Sequence, residues 1–138
     1  MFPTKERGFM AIDRKTPMRE AIEERIQHWR EFENPLTNSE MREQAYRCMN
    51  CGVPFCHQGC PLGNVIPDFN DSVKDDDWQE ALAVLHSTNN FPEVTGRVCP
   101  APCETSCVLA INKPAVTIKL IEKAIADRGW KESLIRPE

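Results

Sequence analysis

Seven cysteines constrain this chain more than any other feature, because all of them fall in two tight groups. The first is Cys48-x2-Cys51-x4-Cys56-x3-Cys60-Pro61 and the second is Cys99-Pro100-x2-Cys103-x3-Cys107. Thiols repeated at such short intervals are a pattern of soft-metal ligation, since thiolates select zinc and iron-sulfur clusters over harder ions. The first group has the outline of C-x2-C-x2-C-x3-C-P with its second gap widened. In that run the fourth cysteine serves a different cluster from the first three. Two iron-sulfur clusters are therefore the leading reading.

Other uses of cysteine fit less well. An odd count leaves one thiol over in any disulfide scheme, and Met1 to Ile12 carries Lys5, Glu6 and Arg7 with no apolar signal core. Zinc is the stronger competitor. Cys48-x2-Cys51 is a common zinc half-site, and Cys56-His57 offers a fourth donor for a Cys3His set. Four thiolates would satisfy one tetrahedral zinc and leave three unexplained, whereas two cubane clusters use all seven and require one further donor. A zinc-stabilised interaction module is the alternative function.

Composition excludes several classes. The 138 residues suit one domain, and eleven prolines with only 41% hydrophobic residues suggest that bound metal supplies part of the organisation. A net charge of -4, with basic residues interleaved among acids, argues against nucleic acid as a partner. No apolar run approaches the roughly 18 residues of a membrane span, so a soluble chain without membrane partners is expected. Reduced thiols point to the cytoplasm.

The strongest periodic signals are helical. Ala21, Ile22, Ile26, Trp29 and Phe32 recur at helical steps, predicting an amphipathic helix over 17–33, capped by Thr16 and packed on the chain's own core. Thr37-x-x-Glu40 is a capping box opening a second helix through Met41 and Ala45 towards Cys48. Pro61 to Asn64 is turn chemistry, and Val65 to Val73 is a short helix entered at Pro67. Asp75-Asp76-Asp77 reads as a solvated turn whose last residue caps a helix from Trp78 to Leu85. Asn89 to Gly96 reads as loop. A last helix, capped by Thr117 and stopped by Gly129, carries Ile118, Ile121, Ala124 and Ile125. The expected fold is mostly α: a small helical bundle with long cysteine-bearing loops around two clusters, over a single domain spanning 1–138.

Ligands can be apportioned by chain geometry. Cys48, Cys51 and Cys56 can surround one cube face, while Cys60 is better placed for a neighbouring cube. Cys103 and Cys107, one helical turn apart, can reach adjacent clusters. Exchange of the ferredoxin type then gives cluster one Cys48, Cys51, Cys56 and Cys107, and cluster two Cys60, Cys99 and Cys103. The eighth donor is open. Glu122 is the first candidate, because it sits beside the apolar stripe of the last helix, where a carboxylate is otherwise costly. His57, Glu104, His86 and water are alternatives. Arg97 and Lys119 read as solvated basic side chains.

The residues around the cysteines also carry a resemblance. Arg47-Cys48-Met49-Asn50-Cys51-Gly52-Val53-Pro54-Phe55-Cys56-His57, Gly59-Cys60-Pro61-Leu62-Gly63-Asn64, Ile66-Pro67-Asp68 and Thr95-Gly96-Arg97-Val98-Cys99-Pro100-Ala101-Pro102-Cys103-Glu104 resemble the N-terminal domain of the small (beta) subunit of NADPH-dependent glutamate synthase. So do Thr88 to Glu93 and Val116 to Lys119. Related domains open dihydropyrimidine dehydrogenase and other NAD(P)H oxidoreductases. The resemblance implies a helical, alpha-helical ferredoxin-like domain with two [4Fe-4S] clusters, whose eighth ligand is an amide or carboxylate on the final helix, which favours Glu122. It also implies an oxidoreductase relay from NADPH and FAD, through the clusters, to the large (alpha) subunit, where glutamine and 2-oxoglutarate become glutamate.

One departure stands out. The six glycines form no G-x-G-x-x-G, so neither FAD nor NADPH has its usual phosphate-binding turn here. Both are expected on downstream domains, with the sequence a fragment that lacks them. There is no nucleophile with a matched base, and the isolated chain is not expected to be catalytic.

Overall fold

Where a side chain can close a helix terminus, the chain folds as the local pattern asks. Thr37 and Glu40 exchange hydrogen bonds, Glu40 N–H donating to Thr37 Oγ1 at 3.3 Å and Thr37 N–H to Glu40 Oε2 at 2.9 Å. This capping box opens helix α3 (Asn38–Tyr46). Asp77 accepts from Glu80 N–H at 3.0 Å and opens α6 (Trp78–His86), and Pro67 stands in the first turn of α5 (Ile66–Lys74). The computed structural model describes residues 7–136, so Lys5 and Glu6 of the N-terminal reading lie outside it.

The other described elements are short, apart from the last. Helix α1 (Gly8–Ala11) and α2 (Ile22–Arg25) are single turns, and strands β1 (Met18–Arg19) and β2 (Glu33–Asn34) pair antiparallel, Met18 opposite Asn34. Then come α4 (Phe55–Gly59), α7 (Pro92–Val98), α8 (Pro102–Thr105), a 3-10 turn (Val108–Ile111) and α9 (Ile118–Lys131). The fold is mostly α, as expected. Helix α9 is the central post, packed on α7, α6, α3 and α5. Its Ile118, Ile121 and Ile125 meet Phe69 and Val73 of α5 and Leu82 and Leu85 of α6 in one buried core. Each such side chain contributes about 1.5–3 kcal/mol on burial. Among the described residues no helix is long and apolar enough to cross a membrane.

Three expectations fail. Residues 17–33 do not form one helix: Glu20 N–H donates to Phe32 O at 2.9 Å, closing a loop between the two strands. Its apolar stripe is not in the core either, with Ile22, Ile26 and Trp29 exposed, Trp29 completely. A lone helix of this length is marginal unless one face is buried, and here tertiary ion pairs win. Glu31 binds Lys123 and Arg97, and Glu33 binds Arg19, so the segment is held by its charges.

Both remaining failures concern glycine. Asn89 to Gly96 is not all loop, because Pro92 to Val98 is helical with Pro92 in its first turn. Gly96 serves packing rather than breaking: a Cβ there would lie 2.8–3.0 Å from the Cβ, Cα and N of Lys123. Gly129 likewise does not stop the last helix, which runs to Lys131, but lets Leu82 and Ile135 approach. The reversal falls instead at Ser133, in the left-handed region at φ 56°.

Candidate metal centre

The thiols emerge from helix ends. Helix α3 closes with Cys48 N–H donating to Ala45 O at 3.0 Å, which sets Cys48 just beyond the helix in a buried position. Asn50, left-handed at φ 51°, bends the chain, and after Pro54 the short α4 carries Cys56 and ends at Cys60. The Cys60 carbonyl accepts from Gly63 N–H at 2.9 Å, and Gly63 has φ 67°, the turn expected there. In the second group Cys99 follows α7, Ala101 is left-handed at φ 56°, and Ala101 N–H donates to Cys99 Sγ at 3.3 Å. Cys103 lies in α8. Cys107, however, is not on the same helix: α8 ends at Thr105 and Cys107 is extended at φ -64°, ψ 126°. The four-residue step predicts one helical turn, but the chain unwinds after Thr105, and the two thiols fall in different constellations.

Two constellations result. Cys48, Cys51, Cys56 and Cys107 line one cavity beside the start of α5 and the 3-10 turn. Burial pushes the Cys56 thiol up to about 12, with the neighbouring Cys48 and Cys107 adding to it. Arg47 lies against this group, fully buried. Its guanidinium donates to the carbonyls of Ile12 at 3.0 Å, Ala115 at 2.8 Å and Pro114 at 2.6 Å. Burial lowers its pKa, repulsion from Arg14 does so further, and Cys107 opposes the shift.

The second constellation gathers on Cys103. Burial pushes this thiol up to about 12, followed in effect by Glu122, Glu104, Cys60 and Cys99, which places all four within electrostatic reach. Glu122, buried on α9, has its pKa raised by burial, with Glu104 adding to the rise and a hydrogen bond from Asn64 opposing it. Asn64 Nδ2 donates to Glu122 Oε1 at 3.0 Å, and Thr88 Oγ1 donates to Asn64 Oδ1 at 2.8 Å. A buried carboxylate among thiols is costly unless a cation joins it, and a coordinated metal inverts that logic by favouring every deprotonated donor.

Of the remaining donors, His57 and Glu104 are engaged elsewhere. His57 Nε2 accepts from Ile66 N–H at 3.1 Å and so orients the start of α5. Glu104 takes the role expected of Thr117: its Oε1 accepts from Lys119 N–H at 3.1 Å while Oε2 pairs with Arg14 at 2.6 Å. Thr117 makes no side-chain cap, and its buried hydroxyl has no partner. His86 ends α6, away from both groups of cysteines in sequence. Lys119 and Arg97 are not simply solvated. Lys119 Nζ donates to Cys99 O at 3.1 Å, and Arg97 grips Asp127 at 2.9 Å and Glu31 at 3.0 Å.

The thiol spacing bears on the metal. Zn–S bonds of about 2.3 Å would hold four sulfurs close around one ion, yet among the described residues no three His, Cys, Asp or Glu side chains gather that tightly. Cys51, Cys56, Cys60, Cys99, Cys103 and Cys107 are free thiols. Four thiols in one group and three thiols with the Glu122 carboxylate in the other fit the donor types and count of [4Fe-4S] clusters.

Sequence reasoning missed Asn64, Thr88, Asn70 and Arg47. Asn70 left a signal: it interrupts the apolar face of α5 formed by Ile66, Phe69 and Val73. Asn64 left none beyond its turn.

The chain belongs to the family described as dihydropyrimidine dehydrogenase domain II, 4Fe-4S cluster, which matches residues 25–134. It is therefore an iron-sulfur domain of the class that serves electron transfer. Among curated proteins it is similar to the glutamate synthase [NADPH] small chain of Mycobacterium tuberculosis, 52% identical over 94% of this chain and 27% of the relative. The small chain from Bacillus subtilis is 47% identical over 96% of this chain and 29% of its own length. The glutamate synthase [NADH] of Saccharomyces cerevisiae is also 47% identical, over 96% of this chain and 6% of that protein. The chain thus spans under a third of the relatives it matches.

Proposed function

We propose that the chain is a two-cluster electron relay of a glutamate synthase small subunit. Cys48, Cys51, Cys56 and Cys107 hold one [4Fe-4S] cluster, and Cys60, Cys99, Cys103 and Glu122 hold the other. The observation that carries this reading is the sharing of α4 between the two constellations, Cys56 within it and Cys60 at its end. Four residues of helix span about 6 Å, so the two sites are neighbours. When bound, a [4Fe-4S] cluster accepts and releases single electrons at a potential set by charge, burial and hydrogen bonds to sulfur.

The chain's own residues supply that setting. Arg47 places a buried positive charge beside the first thiol set. Thr88 and Asn64 hold the Glu122 carboxylate in one orientation, as outer partners of a metal ligand commonly do. Ala101 N–H donates to the Cys99 sulfur, and Lys119 fixes the adjacent carbonyl. Electrons would enter from FAD and NADPH on other domains of the same subunit and leave to the large subunit, where glutamine and 2-oxoglutarate yield glutamate. The names of the relatives support that setting, and reduced thiols suit the cytoplasm.

Paired substitutions test the assignment. In anaerobically prepared protein, Cys107→Ala is expected to abolish the electron paramagnetic resonance signal of one cluster, and Glu122→Ala to abolish or convert the other. Loss of the same signal in both variants would overturn the assignment. Unchanged iron content and spectra in the Glu122 variant would remove that residue from the ligand set.

A further inference from the structure

Asn70 is a buried polar side chain with nothing to bind. It is 1% exposed, and neither its Nδ2 nor its Oδ1 has a hydrogen-bond partner. A buried amide left without partners bears its full desolvation penalty uncompensated. Native proteins leave few such groups, and each calls for an explanation.

Its position supplies one. Asn70 lines the cavity of Cys48, Cys51, Cys56 and Cys107, and the other described side chains lining that cavity are sulfur-bearing or apolar, such as Ile66, Leu109 and Val116. An amide used for packing alone would find a polar partner, as Asn89 does by donating to the Thr95 hydroxyl and accepting from Phe91 N–H. The side chains that share this cavity with Asn70 offer sulfur as their polarisable partner.

We infer that the Asn70 side-chain amide donates a hydrogen bond to sulfur in this cavity and thereby raises the reduction potential of the cluster that these four thiols hold. The inference rests on the ligand reading given above. A donor aimed at sulfur stabilises the more negative, reduced form, since adding one electron increases the charge the amide N–H faces. No proton moves, and Asn70 keeps both amide hydrogens. Its partner in the second constellation is Asn64, which spends its amide on the Glu122 carboxylate. The two sites are thus served by asparagines in different ways, one by orienting a ligand and one by solvating sulfur.

The test uses the full-length subunit, prepared without air, with Asn70→Leu to keep the volume and remove the donor. At a fixed potential the reduced-to-oxidised ratio of the Cys107-dependent cluster is expected to fall about tenfold, a shift of ~59 mV for one electron. The other cluster should keep its potential, and iron content should match the parent. An unchanged potential with full iron overturns the inference and leaves the ligand reading intact. If the variant does not retain the cluster, the parent protein decides. Asparagine labelled with ¹⁵N only at the side-chain amide should give a nitrogen hyperfine coupling to the signal that Cys107→Ala removes. Absence of that coupling overturns the inference. A parent protein that binds no iron rejects both readings together.

Discussion

Arg47 shows what a single residue does here that spacing could not reveal. It stands next to the first ligand candidate, yet its side chain turns away to donate to three backbone carbonyls, two of them in the segment before α9. The contacts tie together residues 12, 47, 114 and 115 while keeping a positive charge beside Cys107. Arg47→Met should keep much of the packing and lose the donors, costing about 3 kcal/mol in unfolding free energy, because charged hydrogen bonds to buried acceptors are the expensive ones to remove. Denaturant unfolding under anaerobic conditions measures this, and a change below about 0.5 kcal/mol would show that the carbonyls find other partners. The cysteines and Glu122 were legible as candidates because their chemistry or their misplaced charge marks them in the local pattern. Arg47, Asn64 and Thr88 were not, since their partners lie 24 to 68 residues away and nothing in the neighbouring sequence specifies them.

Among the elements, those with side-chain caps or apolar periodicity were readable, and those decided by tertiary contact were not. Helices α3, α5, α6 and α9 each carry an apolar face that meets the same core, so local and global preferences agree. The 17–33 segment has a helical stripe but no surface to bury it on, and ion pairs from Glu31 and Glu33 fix another conformation. Gly129 does not stop α9, and both Gly129 and Gly96, the end of the stretch read as loop, are sites of close approach. Gly96→Ala follows from this: α7 must move off α9, with an expected loss of about 1–3 kcal/mol. Cys99 directly follows α7, so the same change should lower occupancy of the second cluster before the first. Thermal unfolding together with the two cluster signals measures both effects. Equal loss of both signals would mean that α7 does not position the second site separately.

At the scale of the whole molecule, the fold is a helical frame whose inner post, α9, carries Glu122 beside the core isoleucines, while α4 and α8 carry Cys56 and Cys103 of the two cysteine groups. On the proposed two-cluster reading the seven sulfurs call for an eighth donor, and the folded chain puts Glu122 within electrostatic reach of Cys103. The ferredoxin-type exchange already sets Cys107 apart from Cys99 and Cys103; what the pattern does not show is the unwinding after Thr105 that parts Cys107 from Cys103. The proposed relay stands on the sulfurs of both groups holding iron cubes rather than a lone ion. The most direct test is the iron, sulfide and zinc inventory of protein purified without air. About eight irons and eight sulfides per chain with no zinc are the predicted result. One zinc per chain with no sulfide would contradict it.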